Sequence, residues 1–181
     1  MPTLVPAVVF VTPRLMARPI SPSDAPAMYQ VYGDACAMRW VGDGTTLDLA
    51  QCENWIEVTK QNYLARGYGM FALVNRESGL VIGFCGLVHP GGQVDAELKY
   101  ALSREFWGQG FASEAASAML VAASSRFGLL RVIATIAPEN IASHRVLLKA
   151  GMLCCGVLRD KNGSEVQYFV WSERNMGGNA G

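Results

Sequence analysis

A strand that runs into a glycine-containing loop and then into a helix is the feature that most constrains this chain. Residues 96–115 read AELKYALSREFWGQGFASEA, in which an alternating strand pattern gives way to Gly108 and Gly110 and then to small residues typical of a helix. Glycine lets the backbone approach a ligand closely, and the first turn of a helix presents unpaired N–H groups. Together these features predict an anion site, most often one for phosphate.

Strand and helix patterns alternate along the chain, which predicts one α/β domain. A strand–helix–strand crossover around the glycine loop requires its two flanking strands to be parallel. The other strands form hairpins, the last of them around Asn162 and Gly163, and are expected to be antiparallel. The predicted fold class is therefore α+β, with a mixed, mostly antiparallel sheet and helices on both faces. Seven strands are predicted, at residues 15–20, 70–74, 80–88, 94–102, 130–136, 152–158 and 165–171.

The composition is that of a globular protein and argues against some partners. Half of the 181 residues are apolar and 17% are charged, which suits one domain with a substantial core. No apolar run reaches the ~18 residues of a membrane helix, so no membrane partner and a cytoplasmic location are expected. A net charge of zero, with both signs interspersed, argues against nucleic acid as a partner. We expect an N-terminal segment at 1–11, a single domain at 12–173 and a flexible tail at 174–181.

Two other kinds of phosphate-binding loop fit the residues less well. A P-loop requires the tripeptide Gly-Lys-Ser/Thr, which this chain lacks. A dinucleotide-binding fingerprint requires a third glycine where this chain has Ser113, although Glu139 follows the next strand, where an acid could contact a ribose. Too few residues follow Glu139 for a doubly wound fold. A nicotinamide-dependent oxidoreductase is therefore the weaker alternative.

Three further segments narrow the interpretation of the glycine loop. Residues 138–143 read PENIAS, residues 149–151 read KAG, and residues 12–15 read TPRL. In this order and spacing, they and the loop resemble the GNAT superfamily of acyl-CoA-dependent N-acyltransferases. Within it, the chain is most similar to the branch that includes the ribosomal-protein N-terminal alanine acetyltransferases. The resemblance extends from Thr12 to Tyr168, which is nearly the whole chain.

This resemblance implies a fold detail, a cofactor and a reaction. The implied sheet opens between its two parallel strands, in a central splay that accepts the pantetheine arm of the cofactor. The implied reaction moves the acetyl group of acetyl-CoA directly to a primary amine, either a protein N-terminus or a small amine, without a metal. A monomer and a homodimer are both compatible with it. A non-catalytic acyl-CoA sensor would use the same loop and stays an alternative.

The resemblance also implies roles for individual residues. Glu97 matches the glutamate that commonly serves as general base, and the alternative is a carboxylate exposed to solvent on a strand face. The N–H of Leu102 is the implied donor to the reacting carbonyl oxygen. Leu147 stands where many members have a tyrosine, so the proton donor to the departing thiolate is either Ser143, as the branch implies, or none is needed. Asn140 is either a helix N-cap alone or also a contact of the pantetheine.

The remaining implied contacts of the cofactor lie at the strand end and in the glycine loop. Backbone N–H groups of the loop make most of the phosphate contacts, so Trp107, in the slot where the family usually has Gln or Arg, scarcely weakens the prediction. The implied cofactor contacts are Tyr100, Ala101, Leu102, Trp107, Gly108, Gln109, Gly110, Phe111, Ala112, Ser113, Asn140 and Ser143.

Overall fold

In the part of the chain that the structure describes, eight strands form one continuous sheet, and helices pack on both of its faces. The structure is a computed structural model that describes residues 5–173. The strands are β1 Phe10–Val11, β2 Leu15–Pro19, β3 Met70–Asn75, β4 Val81–Val88, β5 Ala96–Leu102, β6 Arg131–Ile136, β7 Leu153–Arg159 and β8 Glu165–Ser172. The helices are α1 Ala25–Tyr32, α2 Ala35–Met38, α3 Leu49–Arg66, α4 Phe111–Ser125 and α5 Ile141–Lys149. No helix within residues 5–173 is long and apolar enough to cross a membrane.

The strand order confirms the mixed, mostly antiparallel sheet. Across the sheet the order is β1-β2-β3-β4-β5-β6-β8-β7. Strands β5 and β6, which the crossover helix α4 connects, are parallel, and the other neighbouring pairs of the described chain are antiparallel. A doubly wound dinucleotide-binding domain would need a mostly parallel sheet, so the fold argues against the oxidoreductase alternative.

One short strand adds to the seven that the sequence predicts. Phe10 is buried and pairs with Ala17, so β1 forms an edge of the sheet beside β2. A strand of two residues shows no alternation, which is why the sequence pattern missed it. The expected tail at 174–181 lies outside the described residues, as do residues 1–4.

Each face of the sheet has its own apolar core. Helices α4 and α5 cover one face, where a large cluster includes Phe111 from α4 and Leu98 and Leu102 from β5. Helices α1 and α3 cover the other face, where a second cluster includes Ala101 from β5. Side chains alternate along a strand, so Glu97 shares the face of Ala101 and lies on the α1 and α3 side of the sheet.

The helix ends follow the signals in the sequence. Asp48 and Gln51 cap the start of α3 reciprocally, with each side chain 2.8 Å from the backbone nitrogen of the other. Gly67 ends the same helix in the left-handed conformation, with a φ of 79°. Asn140 caps α5, because its Oδ1 accepts the backbone N–H of Ser143 at 3.1 Å.

A single carboxylate fastens the segment before β2 to the first turn of α4. Glu114 Oε1 accepts hydrogen bonds from Thr12 Oγ1 at 2.6 Å and from the backbone N–H of Arg14 at 3.0 Å. Glu114 Oε2 accepts one from Arg14 Nε at 2.7 Å. The guanidinium of Arg14 also donates to the carbonyl of Gln109 at 2.8 Å and lies 4.2 Å from the centre of the Phe111 ring. We call this set of contacts the Glu114 clamp.

These hydrogen bonds favour the ionised form of Glu114. Burial alone would raise the pKa of the Glu114 carboxyl, but the hydrogen bonds from Thr12 and Arg14 outweigh burial and leave the pKa below its usual value. A carboxyl whose pKa is lower in the folded than in the unfolded state stabilises the fold above its unfolded pKa. That contribution is lost as the pH falls through the folded pKa.

Replacing Glu114 by Gln should lower the free energy of unfolding at pH 7 by about 1–3 kcal/mol, because charge-assisted hydrogen bonds to Arg14 are lost. The difference from the wild type should be largest above about pH 5 and should shrink towards pH 3. Urea unfolding of both proteins at several pH values measures it.

The matched control is Glu57→Gln in α3. Glu57 pairs with Lys60 at 2.6 Å, but its side chain is 63% exposed, so the free energy of unfolding should hardly change. A Glu114→Gln deficit that stays constant from pH 7 to pH 3 would contradict the assigned cause.

Candidate active site

Within the described chain, β5 and β6 are paired only at their beginnings. The parallel register joins Ala96 to Val132 and Glu97 to Ile133. Beyond these residues β5 continues along β4 as far as Leu102, whereas β6 continues along β8. The sheet therefore opens between the C-terminal halves of β5 and β6. This opening is the central splay that the family resemblance implies.

The backbone of Leu102 faces the opening. The next residue, Ser103, donates its N–H to the carbonyl of Ile82 in β4 at 2.9 Å. Backbone groups of successive residues alternate sides in an antiparallel pair, so the N–H and C=O of Leu102 point away from β4 and towards the opening. The indole Nε1 of Trp107 donates to the carbonyl of Leu102 at 2.8 Å. Trp107 therefore holds the strand end that presents the Leu102 N–H.

The glycine loop leads from this strand end into α4. Gly108 and Gly110 have φ angles of 69° and 83°, in the left-handed region that favours glycine. The first hydrogen bond of α4 runs from the N–H of Glu114 to the carbonyl of Gly110 at 3.1 Å. The N–H groups of residues 111–113 therefore have no partner within the helix. The loop and the helix N-terminus therefore present these N–H groups where the sequence predicts an anion site.

Glu97 is buried, so the alternative of a solvent-exposed carboxylate is wrong. Only 3% of its surface is exposed. Its Oε1 accepts hydrogen bonds from Lys99 Nζ and Thr135 Oγ1, both at 2.5 Å. Its Oε2 accepts one from Gln93 Nε2 at 3.2 Å. A buried charge is costly unless it is paired and hydrogen-bonded, and these three donors meet that need.

Two hydroxyl groups come together on the opposite face, beside α5. Tyr100 projects from β5, and its Oη is buried without a hydrogen-bond partner among residues 5–173. Burial raises the pKa of Tyr100 to about 12, and the nearby Ser143 hydroxyl works against that rise. Ser143 lies in the first turn of α5, directly after the capping Asn140. The phenol is therefore protonated at neutral pH and available as a donor.

The structure thus collects most of the residues that the sequence singled out around one opening. Glu97 lies on the α1 and α3 side, while Tyr100 and Ser143 lie on the α4 and α5 side. The sequence analysis missed Thr135 and Gln93, because their contacts with Glu97 join separate strands and loops. The contact of Lys99 with Glu97 could have been predicted, since strand alternation places both residues on the same face.

Comparisons with known proteins identify the family of this chain. The model of the acetyltransferase (GNAT) domain family matches residues 14–153. The uncharacterized N-acetyltransferase p20 of Bacillus licheniformis is 30% identical over 154 residues, a match that covers 82% of this chain and 84% of that protein.

Solved structures share the fold at lower identity. An acetyltransferase of the GNAT family from Bacillus anthracis superposes with a TM-score of 0.78 at 23% identity, covering 92% of this chain and 99% of the other. RimL, a ribosomal L7/L12 alpha-N-protein acetyltransferase in complex with coenzyme A, superposes with a TM-score of 0.77 at 19% identity, covering 91% and 97%. Because the family model matches most of its length, this chain belongs to the acetyltransferase (GNAT) family and is an acyltransferase.

Proposed function

We propose that this protein transfers the acetyl group of acetyl-CoA directly to a primary amine, and that the acceptor is the N-terminal amine of a protein. The observation that carries the proposal is the set of groups around the opening between β5 and β6. A buried carboxylate lies on one face, a backbone N–H at the edge, and two hydroxyl groups on the other face.

The groups around the opening fit coenzyme A. The hydroxyl of Tyr100 is buried without a partner within residues 5–173, and a buried hydroxyl costs free energy until it finds one. The N–H of Leu102 and the first-turn N–H groups of α4 are further hydrogen-bond donors around the opening. An excess of donors suits a ligand rich in carbonyl, amide and phosphate oxygens.

Different residues would bind different parts of the cofactor. The glycine loop and residues 111–113 would hold the pyrophosphate through backbone N–H groups at the positive end of α4. The Glu114 clamp keeps this loop in place through its bond to the carbonyl of Gln109. Asn140 uses its Oδ1 for the helix cap, which leaves its amide nitrogen for the pantetheine.

The reactive residues lie where a direct transfer needs them. Acetyl-CoA supplies an acyl group that is already activated as a thioester. Glu97 would accept the proton that the attacking amine must lose, directly or through a water. The N–H of Leu102 would stabilise the negative charge that develops on the carbonyl oxygen. Ser143, with Tyr100 behind it, would donate a proton to the departing thiolate.

The likeness to one enzyme supports the proposed acceptor. RimL is a ribosomal L7/L12 alpha-N-protein acetyltransferase, and its fold covers 91% of this chain. The position of Glu97 on the α1 and α3 side supports an acceptor that enters from the face opposite the cofactor. A protein N-terminus supplies the one primary amine at the end of a chain, which is the kind of acceptor that such an approach would suit.

Release of CoA thiol from acetyl-CoA tests the function. The protein would be offered peptides with a free alanine or serine N-terminus, the same peptides with a blocked N-terminus and an internal lysine, and small amines. Release with the free N-termini alone is the expected result. Release with small amines alone would keep the transferase and overturn the acceptor.

Glu97→Gln should lower kcat for the transfer by about 100- to 1,000-fold, because the amine loses its proton acceptor. The affinity for acetyl-CoA should change little, since Glu97 faces away from the cofactor side. Steady-state kinetics and calorimetric titration separate the two effects. Glu77→Gln, in the exposed turn between β3 and β4, is the control and should match the wild type.

Gly110→Ala should weaken CoA binding by about tenfold, because an alanine held at a φ of 83° is strained by roughly 1–2 kcal/mol and the loop shifts. Binding of pantetheine, which lacks the pyrophosphate, should be unaffected. Gly128→Ala is the matched control, because Gly128 has a φ of 67° at the far end of α4. Equal loss of CoA and pantetheine binding would contradict the assigned role of the loop.

Tyr100→Phe should leave the ligand-free protein as stable as the wild type or up to about 1 kcal/mol more stable, because it removes a buried hydroxyl that has no hydrogen-bond partner within residues 5–173. The same change should weaken CoA binding if that hydroxyl serves the cofactor. Thermal unfolding with and without CoA measures both effects. A variant that is destabilised without ligand and keeps full CoA affinity would oppose this role.

A further inference from the structure

We propose that Lys99 holds the place of the acceptor amine on Glu97, and that its Nζ is itself acetylated when acetyl-CoA is bound and no acceptor is present. The inference rests on the proposed function, because it uses the same acetyl donor and the same base. It adds a modification site within the chain and a competitor for the acceptor.

Lys99 and Glu97 form a close ion pair, in which the lysine nitrogen lies where the proposed base would meet an acceptor amine. Lys99 follows Glu97 by two residues on the same face of β5, and its Nζ lies 2.5 Å from Glu97 Oε1. The carboxylate is 4% exposed, but the lysine side chain is 41% exposed. Lys99 therefore spans from the buried carboxylate to the solvent.

The other groups around Glu97 do not compete with Lys99 for the place of the acceptor amine. Thr135 and Gln93 hold the carboxylate from the side of β6 and from the loop before β5. Arg131, at the start of β6, pairs through its Nε with Asp95 Oδ2 at 3.1 Å, so that cation is already engaged. Of the three donors to Glu97, only the lysine is an amine, and an amine becomes a strong nucleophile when it loses one proton.

Lys99 also lies on the way from the base to the acyl position. Along β5 it stands between Glu97 and Leu102, whose N–H would hold the carbonyl oxygen of the acetyl group. Three residues of strand span about 10 Å. After Glu97 has taken its proton, the Lys99 side chain would have to turn from Glu97 towards Leu102 to meet the acetyl group.

The transfer step balances without any further reactant. Glu97 takes one proton from the Lys99 ammonium, and the free amine attacks the thioester carbonyl carbon. The new N–C bond forms as the C–S bond breaks, and the second proton that the nitrogen must lose to become an amide passes to the thiolate of CoA. The proton on Glu97 is then released to solvent. The products are N-acetyl-Lys99, CoA and one released proton.

Acetylation of Lys99 would change the charge of the site. The amide carries no charge, so Glu97 would keep Thr135 and Gln93 as partners but lose its cation. An acceptor amine would then meet a carboxylate that no ammonium occupies. An acceptor added together with acetyl-CoA would compete with Lys99 for the acetyl group and suppress its modification.

Site-resolved mass spectrometry tests the proposal on the intact wild-type chain. The protein is incubated with acetyl-CoA alone, digested, and the acetylated fraction of each lysine is followed with time. Lys60 is the internal control, because its Nζ pairs with Glu57 at 2.6 Å on the exposed surface of α3. We expect Lys99 to be acetylated at least about 100-fold faster than Lys60, the advantage that a positioned base confers.

Two variants sharpen the result. Glu97→Gln should reduce the rate at Lys99 to that at Lys60, and Lys99→Arg should abolish the modification while circular dichroism shows a folded chain. Equal rates at Lys99 and Lys60 in the wild type, or a rate at Lys99 that Glu97→Gln leaves unchanged, would overturn the proposal. Transfer to an added amine with Lys99 unmodified overturns this inference alone, whereas no binding of acetyl-CoA overturns the proposed function with it.

Discussion

The buried carboxylate of Glu97 is the point on which the site depends. Glu97 is the last residue of β5 in register with β6, and its side chain reaches past that register to Thr135. A carboxylate with 3% exposure must be paired, and donors from β5, from β6 and from the preceding loop meet that need. The same hydrogen bonds join the two strands where their backbone pairing stops, so the sheet opens beyond a fixed point rather than fraying.

Strand alternation then separates the two halves of the chemistry. Odd-numbered residues of β5 face α1 and α3, while Tyr100 and Leu102 face α4 and α5, so the sheet would separate the proposed acceptor side from the proposed cofactor side. Backbone groups at the opened edge are accessible from both sides. A single N–H at that edge, on Leu102, can therefore serve a group that approaches from the cofactor side and reacts with one from the other.

The glycine loop depends on a contact far away in sequence. Left-handed glycines set its shape, but the bonds of Arg14 to the carbonyl of Gln109 and to Glu114 hold it against the N-terminal segment. Glu114 brings a negative charge into the first turn of α4, close to where an anion would bind. Arg14 offsets that charge, which is why the two residues have to be considered together.

The sequence by itself determined the parts that short-range chemistry controls. Glycine spacing predicted the loop, an Asn before a helix pattern predicted the α5 cap, and alternation placed Glu97 and Lys99 on one face, because backbone conformation and residue period are local properties. Only the tertiary structure decided how far β5 and β6 stay paired, that a two-residue strand joins the edge, and that Thr135, Gln93 and Lys99 surround Glu97. The same holds for the meeting of Tyr100 with Ser143. These contacts join residues from separate strands, loops and helices, and their positions follow from how the two cores pack on the sheet, which no local pattern encodes.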